Sequence, residues 1–147
     1  MANKINVDAI VKAALEAAQM AAEEKFRAMA GHPQYSIQNT NPMTGEKSGK
    51  KFTMLGLIGF VWIHFKGVKS KNMLVKAGLS SGKSYYGGFD LRLPNLKSPD
   101  WANTLDDHAA GYFYQSMDIK QAAMAAFLAV MNKNGLMEDA YVDSRLD

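Results

Sequence analysis

The 147-residue sequence contains no cysteine, and this excludes several kinds of site at once. Without thiols there is no disulfide framework, no thiolate nucleophile and no cysteine-based zinc or iron–sulfur centre. Histidine is also scarce: His32, His64 and His108 are far apart in the chain. A single histidine inside an apolar strand, such as His64, is usually a hydrogen-bonded core residue, and the other two have no second histidine nearby. No metal site is therefore predicted.

The usual arrangements of catalytic residues are missing as well. The chain shows no Ser/His/Asp order with a strained nucleophile turn and no carboxylate pair at the end of a clear strand. Residues Ala77–Ser84 fit a relaxed phosphate-loop pattern, but a helical turn precedes them and a strand follows, which reverses the order such a loop needs. We therefore predict no catalytic residue and no cofactor, and we interpret Lys83 as a lysine exposed by a turn.

Long hydrophobic runs are absent too. The stretch Phe52–Phe65 is interrupted by two glycines, and the run Ala122–Met131 has only ten residues. A membrane-spanning helix needs roughly 18 or more consecutive apolar residues. The first ten residues lack a basic region followed by an apolar run and a cleavage site. We expect no membrane span, no export and a cytoplasmic location.

Charge is distributed unevenly along the chain. Residues 47–97 carry ten lysine and arginine residues against Asp90 alone, a net charge of +9. Residues 1–46 sum to −1 and residues 98–147 to −5, so the overall +3 conceals a basic middle and an acidic end. Two interpretations remain open: the blocks neutralise each other within the fold, or the basic block forms a surface for polyanions.

The polyanion interpretation has a defined set of residues. The lysines lie in glycine- and serine-containing segments (EKSGKK, KGVKSK and SSGKS) that read as turns, and two adjacent tyrosines precede a glycine pair. Basic residues interleaved with aromatic ones suit single-stranded nucleic acid, because bases stack on the rings while cations follow the phosphates. The alternative is that the tyrosines are half-buried strand residues. The candidate nucleic-acid-binding residues are Lys50, Lys51, Lys69, Lys71, Lys83, Tyr85, Tyr86 and Arg92.

Hydrophobic periodicity predicts two long helices. Apolar residues recur at steps of three and four from Val7 to Met29, with Asn6 as the cap and Gly31 at the end. Ser116 is predicted to cap a second helix that ends at Asn134-Gly135. Its alanine-rich interior is apolar almost all round, so we expect burial on most sides, in the core or between copies of the chain.

The segments between these helices predict a small sheet. Residues 32–51 read as a loop, Gly59–Phe65 as a buried strand, Ser70–Gly78 as a short helix and Tyr85–Leu93 as a strand, and Ala140–Val142 as an edge strand. The prediction is one α+β domain over residues 1–147 in the order α-β-α-β-α-β. It has an N-terminal helix (1–31), the loop, and an α/β core (52–147) with a mixed sheet of about three strands.

Several short motifs resemble a family of small tailed-bacteriophage proteins of unassigned role. They are Gly59-Phe-Val-Trp-Ile63, Lys83-Ser-Tyr-Tyr-Gly-Gly88, Gln115-Ser-Met-Asp-Ile-Lys-Gln-Ala122 and the C-terminal Ser144-Arg-Leu-Asp147. The resemblance covers roughly residues 55–147 and implies a phage protein acting in the host cytoplasm. It implies no catalytic residues.

These observations favour a non-enzymatic phage accessory protein that acts by binding. The leading hypothesis is nucleic acid, bound through the basic, tyrosine-containing surface. The first alternative is a protein-binding inhibitor of a host or anti-phage defence enzyme, and the second is a virion or assembly component with Ala122–Met131 buried in a homo-oligomer. The start of the last helix carries only Lys120, next to the acidic Asp118, so binding of double-stranded RNA in the usual manner is not expected.

Overall fold

The computed structural model of the chain describes residues 6–31, 35–40, 43–44, 47–54, 59–84, 87–93, 96–97, 99, 113 and 116–146. For residues 30–31, 35–40 and 47–54 the description is limited to the backbone. The statements below concern these residues.

Two long helices form one layer of the molecule. Helix α1 (Val7–Gly31) begins as predicted, because the Ala9 amide donates to Asn6 Oδ1 at 3.1 Å. Helix α3 (Met117–Lys133) also begins as predicted: Ser116 Oγ accepts from the Ile119 amide at 3.4 Å. The two helices pack against each other, and α1 presents small residues to this contact, which allows the axes to come close. The buried residues of α1 are Val11, Ala14, Ala18, Ala22, Phe26 and Met29.

Within a single chain α3 is buried on one side, and the alternative of burial between copies of the chain stays a prediction. Its buried side consists of Ile119, Ala123, Met124, Phe127, Leu128 and Met131, whereas Ala125 and Ala129 are exposed. Alanine is equally compatible with either environment, because its single methyl group exposes little apolar surface. The alanine-rich composition therefore concealed an ordinary one-sided helix.

The second layer is a four-stranded sheet in the order β4-β5-β3-β6, with every pair of neighbours antiparallel. Strand β3 (Gly59–Phe65) lies inside it, flanked by β5 (Phe89–Leu91) and by β6 (Tyr141–Leu146) at one edge. Val61, Ile63 and Phe65 are buried on the side that faces the helices. The α+β class, strand β3 and the edge strand are confirmed.

The number and direction of the strands differ from the prediction of a mixed sheet of about three. The segment predicted as one strand, Tyr85–Leu93, contributes β5, and a second short strand, β4 (Gly82–Lys83), precedes it. Between them Gly87 and Gly88 have φ values of +94° and +77°, which reverse the chain at a conformation that favours glycine. Tyr85 and Tyr86 lie outside the described residues.

The prediction of a loop over residues 32–51 is also wrong. Strand β1 (Tyr35–Thr40) pairs antiparallel with β2 (Lys47–Met54) in a separate two-stranded sheet. The register places Tyr35 opposite Met54 and Ile37 opposite Phe52. Apolar residues two positions apart in each strand are thus paired across the ladder. The many Asn, Thr, Gly and Lys residues around them concealed this alternation.

A short helix connects β3 to β4. Helix α2 (Val68–Lys76) has its N-cap at Gly67, three residues before the predicted cap Ser70, and no side chain caps it. Leu74 is its buried residue, and Gly78 follows it with a φ of +89°. The helix–turn–strand order around Ala77–Ser84 agrees with the prediction.

Candidate functional site

The two faces of strand β3 have different environments. On the side away from the helices the strand presents Phe60, Trp62 and His64, which alternate with the buried core residues. In the register of the sheet, Arg145 lies opposite Phe60, Asp143 opposite Trp62 and Tyr141 opposite His64. On the other flank Asp90 lies opposite His64. This side of the sheet, called the outer face below, therefore combines aromatic and charged side chains.

One end of the outer face is closed around His64. Its Nδ1 lies 2.8 Å from Asp90 Oδ1, and its ring centroid lies 5.3 Å from that of Tyr141. Gly88 approaches the ring so closely that a Cβ there would be 3.2 Å from His64 Nε2 and 2.6 Å from the Phe65 carbonyl oxygen. His64 is only 7% exposed. It is the hydrogen-bonded core histidine that the sequence predicted.

The other end carries a half-buried aromatic ring surrounded by cations. The Phe60 ring centroid lies 5.7 Å from Arg92 Cζ, 5.8 Å from Lys120 Nζ and 5.6 Å from Arg145 Cζ. Each of these distances is within the range of a cation–π interaction. The four residues, named here the Phe60 cluster, come from four separate places in the sequence: β3, the segment after β5, the first turns of α3, and β6.

Gly59 allows these elements to meet. A Cβ at this position would lie 2.7 Å from the Arg145 carbonyl oxygen and 2.8 Å from Met117 Sδ, so a side chain would push β6 away and displace the end of the Met117 side chain. Lys120 Nζ donates to the Gly59 carbonyl oxygen at 3.0 Å. This hydrogen bond holds the ammonium group beside the Phe60 ring.

The two arginines of the Phe60 cluster have no acidic partner within the described part of the chain. Both Arg92 and Arg145 are exposed. Asp90, the acidic residue closest in sequence to Arg92, accepts from His64 instead. Three cationic groups therefore converge on one ring, and the two guanidinium groups have their hydrogen-bond donors open to a ligand.

A pocket of about 360 Å³ opens next to the ring. It forms where β5 has ended, so that Phe60 and Val61 extend beyond the strand that pairs with the rest of β3. Apolar side chains make up much of its wall and cations stand at its margin, and ligand pockets commonly combine an apolar wall with a few polar groups in this way. Its lining residues are Phe60, Val61, Arg92, Leu93, Leu96, Phe113, Lys120 and Met124.

The structure only partly assembles the residues predicted from the sequence. Lys69 and Lys71 lie on α2, where Lys71 Nζ is 5.0 Å from the Phe89 ring centroid. Lys83 lies on β4 and shares a shallow depression of about 340 Å³ with Arg92. These lysines are therefore in regular elements and not in the turns that the sequence indicated.

For the remaining predicted residues the structure does not give side-chain positions. Lys50 and Lys51 lie in β2, where the backbone alone is described, and Tyr85 and Tyr86 lie outside the described residues. Of the eight candidates, Arg92 is the one found in the Phe60 cluster.

Sequence reasoning missed Phe60, Lys120 and Arg145 as site residues. The alternation within β3 places Phe60 on the face opposite Val61 and Ile63. This pattern was the one signal in the sequence that could have identified Phe60 as an outer-face residue. Arg145 lies in the acidic block of the chain, and Lys120 stood out only as an isolated lysine. Their proximity to Phe60 depends on strand pairing and helix packing, which charge counting along the chain does not detect.

Three further findings concern other kinds of site. The described residues contain no group of three or more His, Asp or Glu side chains placed to hold a metal ion. None of the described helices is both long enough and apolar enough to cross a membrane. Comparison of the chain with protein-family models, with curated proteins and with solved structures finds no match.

Proposed function

We propose that this protein binds single-stranded nucleic acid, and that the Phe60 cluster is the contact surface. The observation that carries the proposal is the convergence of Arg92, Lys120 and Arg145 on one half-buried ring. Proteins that bind single strands combine cations that follow the phosphates with aromatic rings on which the bases stack. The Phe60 cluster contains both an aromatic ring and cations, and each cation lies within 6 Å of the ring centroid.

The charges support a phosphate ligand. Arg92 and Arg145 are exposed and, within the described chain, have no carboxylate partner, so their donors are available to anionic oxygens. Guanidinium groups bind phosphate in a bidentate manner and also stack on planar rings. Phosphate binding at this end of the sheet would give these two guanidinium groups an anionic partner.

The pocket beside Phe60 favours an unpaired base as the ligand. A base within a duplex is stacked and shows only its edges, whereas an unpaired base exposes its flat faces to aromatic and apolar side chains. Phe60 forms part of the wall together with Val61, Leu93 and Met124. A base inserted beside Phe60 would bury this apolar surface while its phosphates remain near the cations at the margin. We therefore favour single strands over duplexes.

The resemblance to small phage proteins suggests the setting. Acting in the host cytoplasm, the protein would encounter single strands of replication intermediates and transcripts. Neither DNA nor RNA is favoured, because none of the observations on the Phe60 cluster involves the sugar.

Titration of labelled oligonucleotides at two salt concentrations tests the proposal. We expect binding to single strands with a clear salt dependence, because each phosphate contact releases a counterion. Phe60→Ala should weaken binding by about 1–3 kcal/mol with the salt dependence unchanged, since stacking releases no ions. Arg92→Gln and Arg145→Gln should each lower the log–log salt slope by about 0.7, the value for one contact to a single strand.

Lys12→Gln provides the matched control. Lys12 is an exposed cation on α1, outside the Phe60 cluster, so its removal should leave affinity and slope nearly unchanged. If all three cation variants reduce binding equally, the attraction is diffuse and the Phe60 cluster is not a site. Absence of binding at low salt would contradict the proposal and leave a protein partner, such as a host or defence enzyme, as the better hypothesis.

A further inference from the structure

Strand β6 forms an open edge of the sheet. Within the described part of the chain it pairs with β3 only, over the full length Tyr141–Leu146. Two large side chains of this strand are exposed to solvent: Tyr141 is 53% exposed and Leu146 57% exposed. An edge of this kind presents unpaired backbone groups that can join another strand, and proteins usually protect such edges. The sequence of β6 indicates which strand fits.

The order of side chains in β6 is complementary to itself. An antiparallel pair of two β6 strands that continues the sheet keeps like faces together, so its two-fold axis must pass through a residue. With the axis at Ser144, Asp143 of each copy lies opposite Arg145 of the other, and Val142 lies opposite Leu146. Both opposite-charge pairs then lie on the outer face and both apolar pairs on the helix side, all of them favourable cross-strand combinations.

The neighbouring register is unfavourable. With the axis at Asp143, the two Asp143 carboxylates lie directly opposite each other, and Arg145 faces Tyr141 of the other copy. Like charges placed directly opposite destabilise a ladder. The charges therefore select the pairing centred on Ser144.

One local hydrogen bond at the proposed axis would break when the strands pair. The Ser144 amide donates to Asp143 Oδ1 at 2.9 Å, an exposed contact in which a side chain satisfies a backbone group locally. In the pairing centred on Ser144, the two Ser144 amides would donate across the axis to the carbonyl oxygens of the other copy. Each Asp143 carboxylate would then be free to bind Arg145 of the other copy.

We propose that two copies of the chain associate through antiparallel pairing of their β6 strands, centred on Ser144. The result is a continuous eight-stranded sheet in the order β4-β5-β3-β6-β6-β3-β5-β4. The argument for this interface does not rest on the proposed nucleic-acid binding, but the two share Arg145, which belongs to the Phe60 cluster and would face Asp143 of the other copy. The pairing would also place both Phe60 clusters on one face of the extended sheet.

Charge reversal at β6, followed by sedimentation velocity over a wide concentration range, tests the interface. The wild-type chain should form a species of twice 16.1 kDa as concentration rises. Asp143→Arg places two arginines opposite each other at both pairs, and Arg145→Asp places two aspartates there. Each single variant should raise the dimer dissociation constant by about tenfold or more, since two favourable pairs become two repulsive ones.

Complementation separates this interface from general damage to the fold. An equimolar mixture of the Asp143→Arg and Arg145→Asp variants should form a heterodimer, because every charged pair is then opposite in sign. The double variant Asp143→Arg/Arg145→Asp should form a homodimer again for the same reason. Glu138→Arg, an exposed reversal in the turn before β6, should leave the dimer unchanged.

The results are decisive in either direction. Loss of the dimer in both single variants with recovery in the mixture and in the double variant supports the β6 pairing. A wild-type chain that stays monomeric at all concentrations overturns it. So does a dimer that survives both single reversals, or single variants that are folded by circular dichroism and yet do not associate when mixed.

Discussion

Phe60 and Phe65 are the same residue type on the same strand, five positions apart, and they have opposite environments. Phe65 is fully buried on the helix side, with its ring centroid 5.5 Å from that of Phe89. Phe60 is half-buried on the outer face among three cations. Because side chains alternate along a strand, an odd spacing places the two rings on opposite faces. The helix side stabilises the fold, and the proposed binding site lies on the outer face.

The largest effect on stability is expected at Phe65. Phe65→Ala should lower the free energy of unfolding by about 3–5 kcal/mol, because it removes a fully buried ring and leaves a cavity beneath β5. Urea denaturation followed by circular dichroism measures the loss. A decrease below about 1 kcal/mol would mean that the helix side of β3 is not the core.

A smaller loss is expected where the outer face is closed. Asp90→Ala leaves His64 Nδ1 without its partner in a ring that is 7% exposed, so unfolding should become easier by about 1–3 kcal/mol. Asp90→Asn serves as the control, since the amide oxygen still accepts from Nδ1–H and should restore most of the loss. Equal destabilisation by both variants would show that the carboxylate charge, and not the hydrogen bond, matters at this position.

Phe60→Ala should cost less stability than Phe65→Ala, although the same atoms are removed. We expect a loss of about 1 kcal/mol, because the ring is already partly in water and its cation contacts are worth less at an exposed site. Phe60→Tyr keeps the ring and should be close to neutral. If the Phe60→Ala and Phe65→Ala variants unfold at the same urea concentration, the two faces of β3 do not differ in their contribution to stability.

The smallest effects are expected on α2, away from both faces of β3. Lys69→Glu should change stability by less than about 0.5 kcal/mol, as surface substitutions usually do. Lys71→Glu should cost about 0.5–1 kcal/mol, because it also removes the cation over the Phe89 ring. Thermal melts of the two variants side by side measure this difference. Unfolding caused by Lys69→Glu would indicate that the basic block is paired with acidic residues inside the fold.

Local sequence patterns were sufficient to predict several of the helices and strands. Helix α1, the start and end of α3, strand β3 and the edge strand β6 were all predicted, because helix caps and apolar periodicity act over a few residues. The same reasoning failed for the β1–β2 hairpin, where the alternation of Tyr35 and Ile37 is short and surrounded by turn-forming residues. It did not distinguish the two sides that α3 has within one chain, since alanine gives no indication of burial.

The candidate site shows the limit of such patterns more clearly. The amino-acid order placed Phe60 on the face of β3 away from the core, and it placed a basic block in the middle of the chain. Bringing Arg92, Lys120 and Arg145 to that ring required β6 to pair with β3 and α3 to pack beside Gly59. Contacts between residues 32 to 85 positions apart in sequence depend on how whole elements pack, and that packing energy is not encoded in any short segment of the chain.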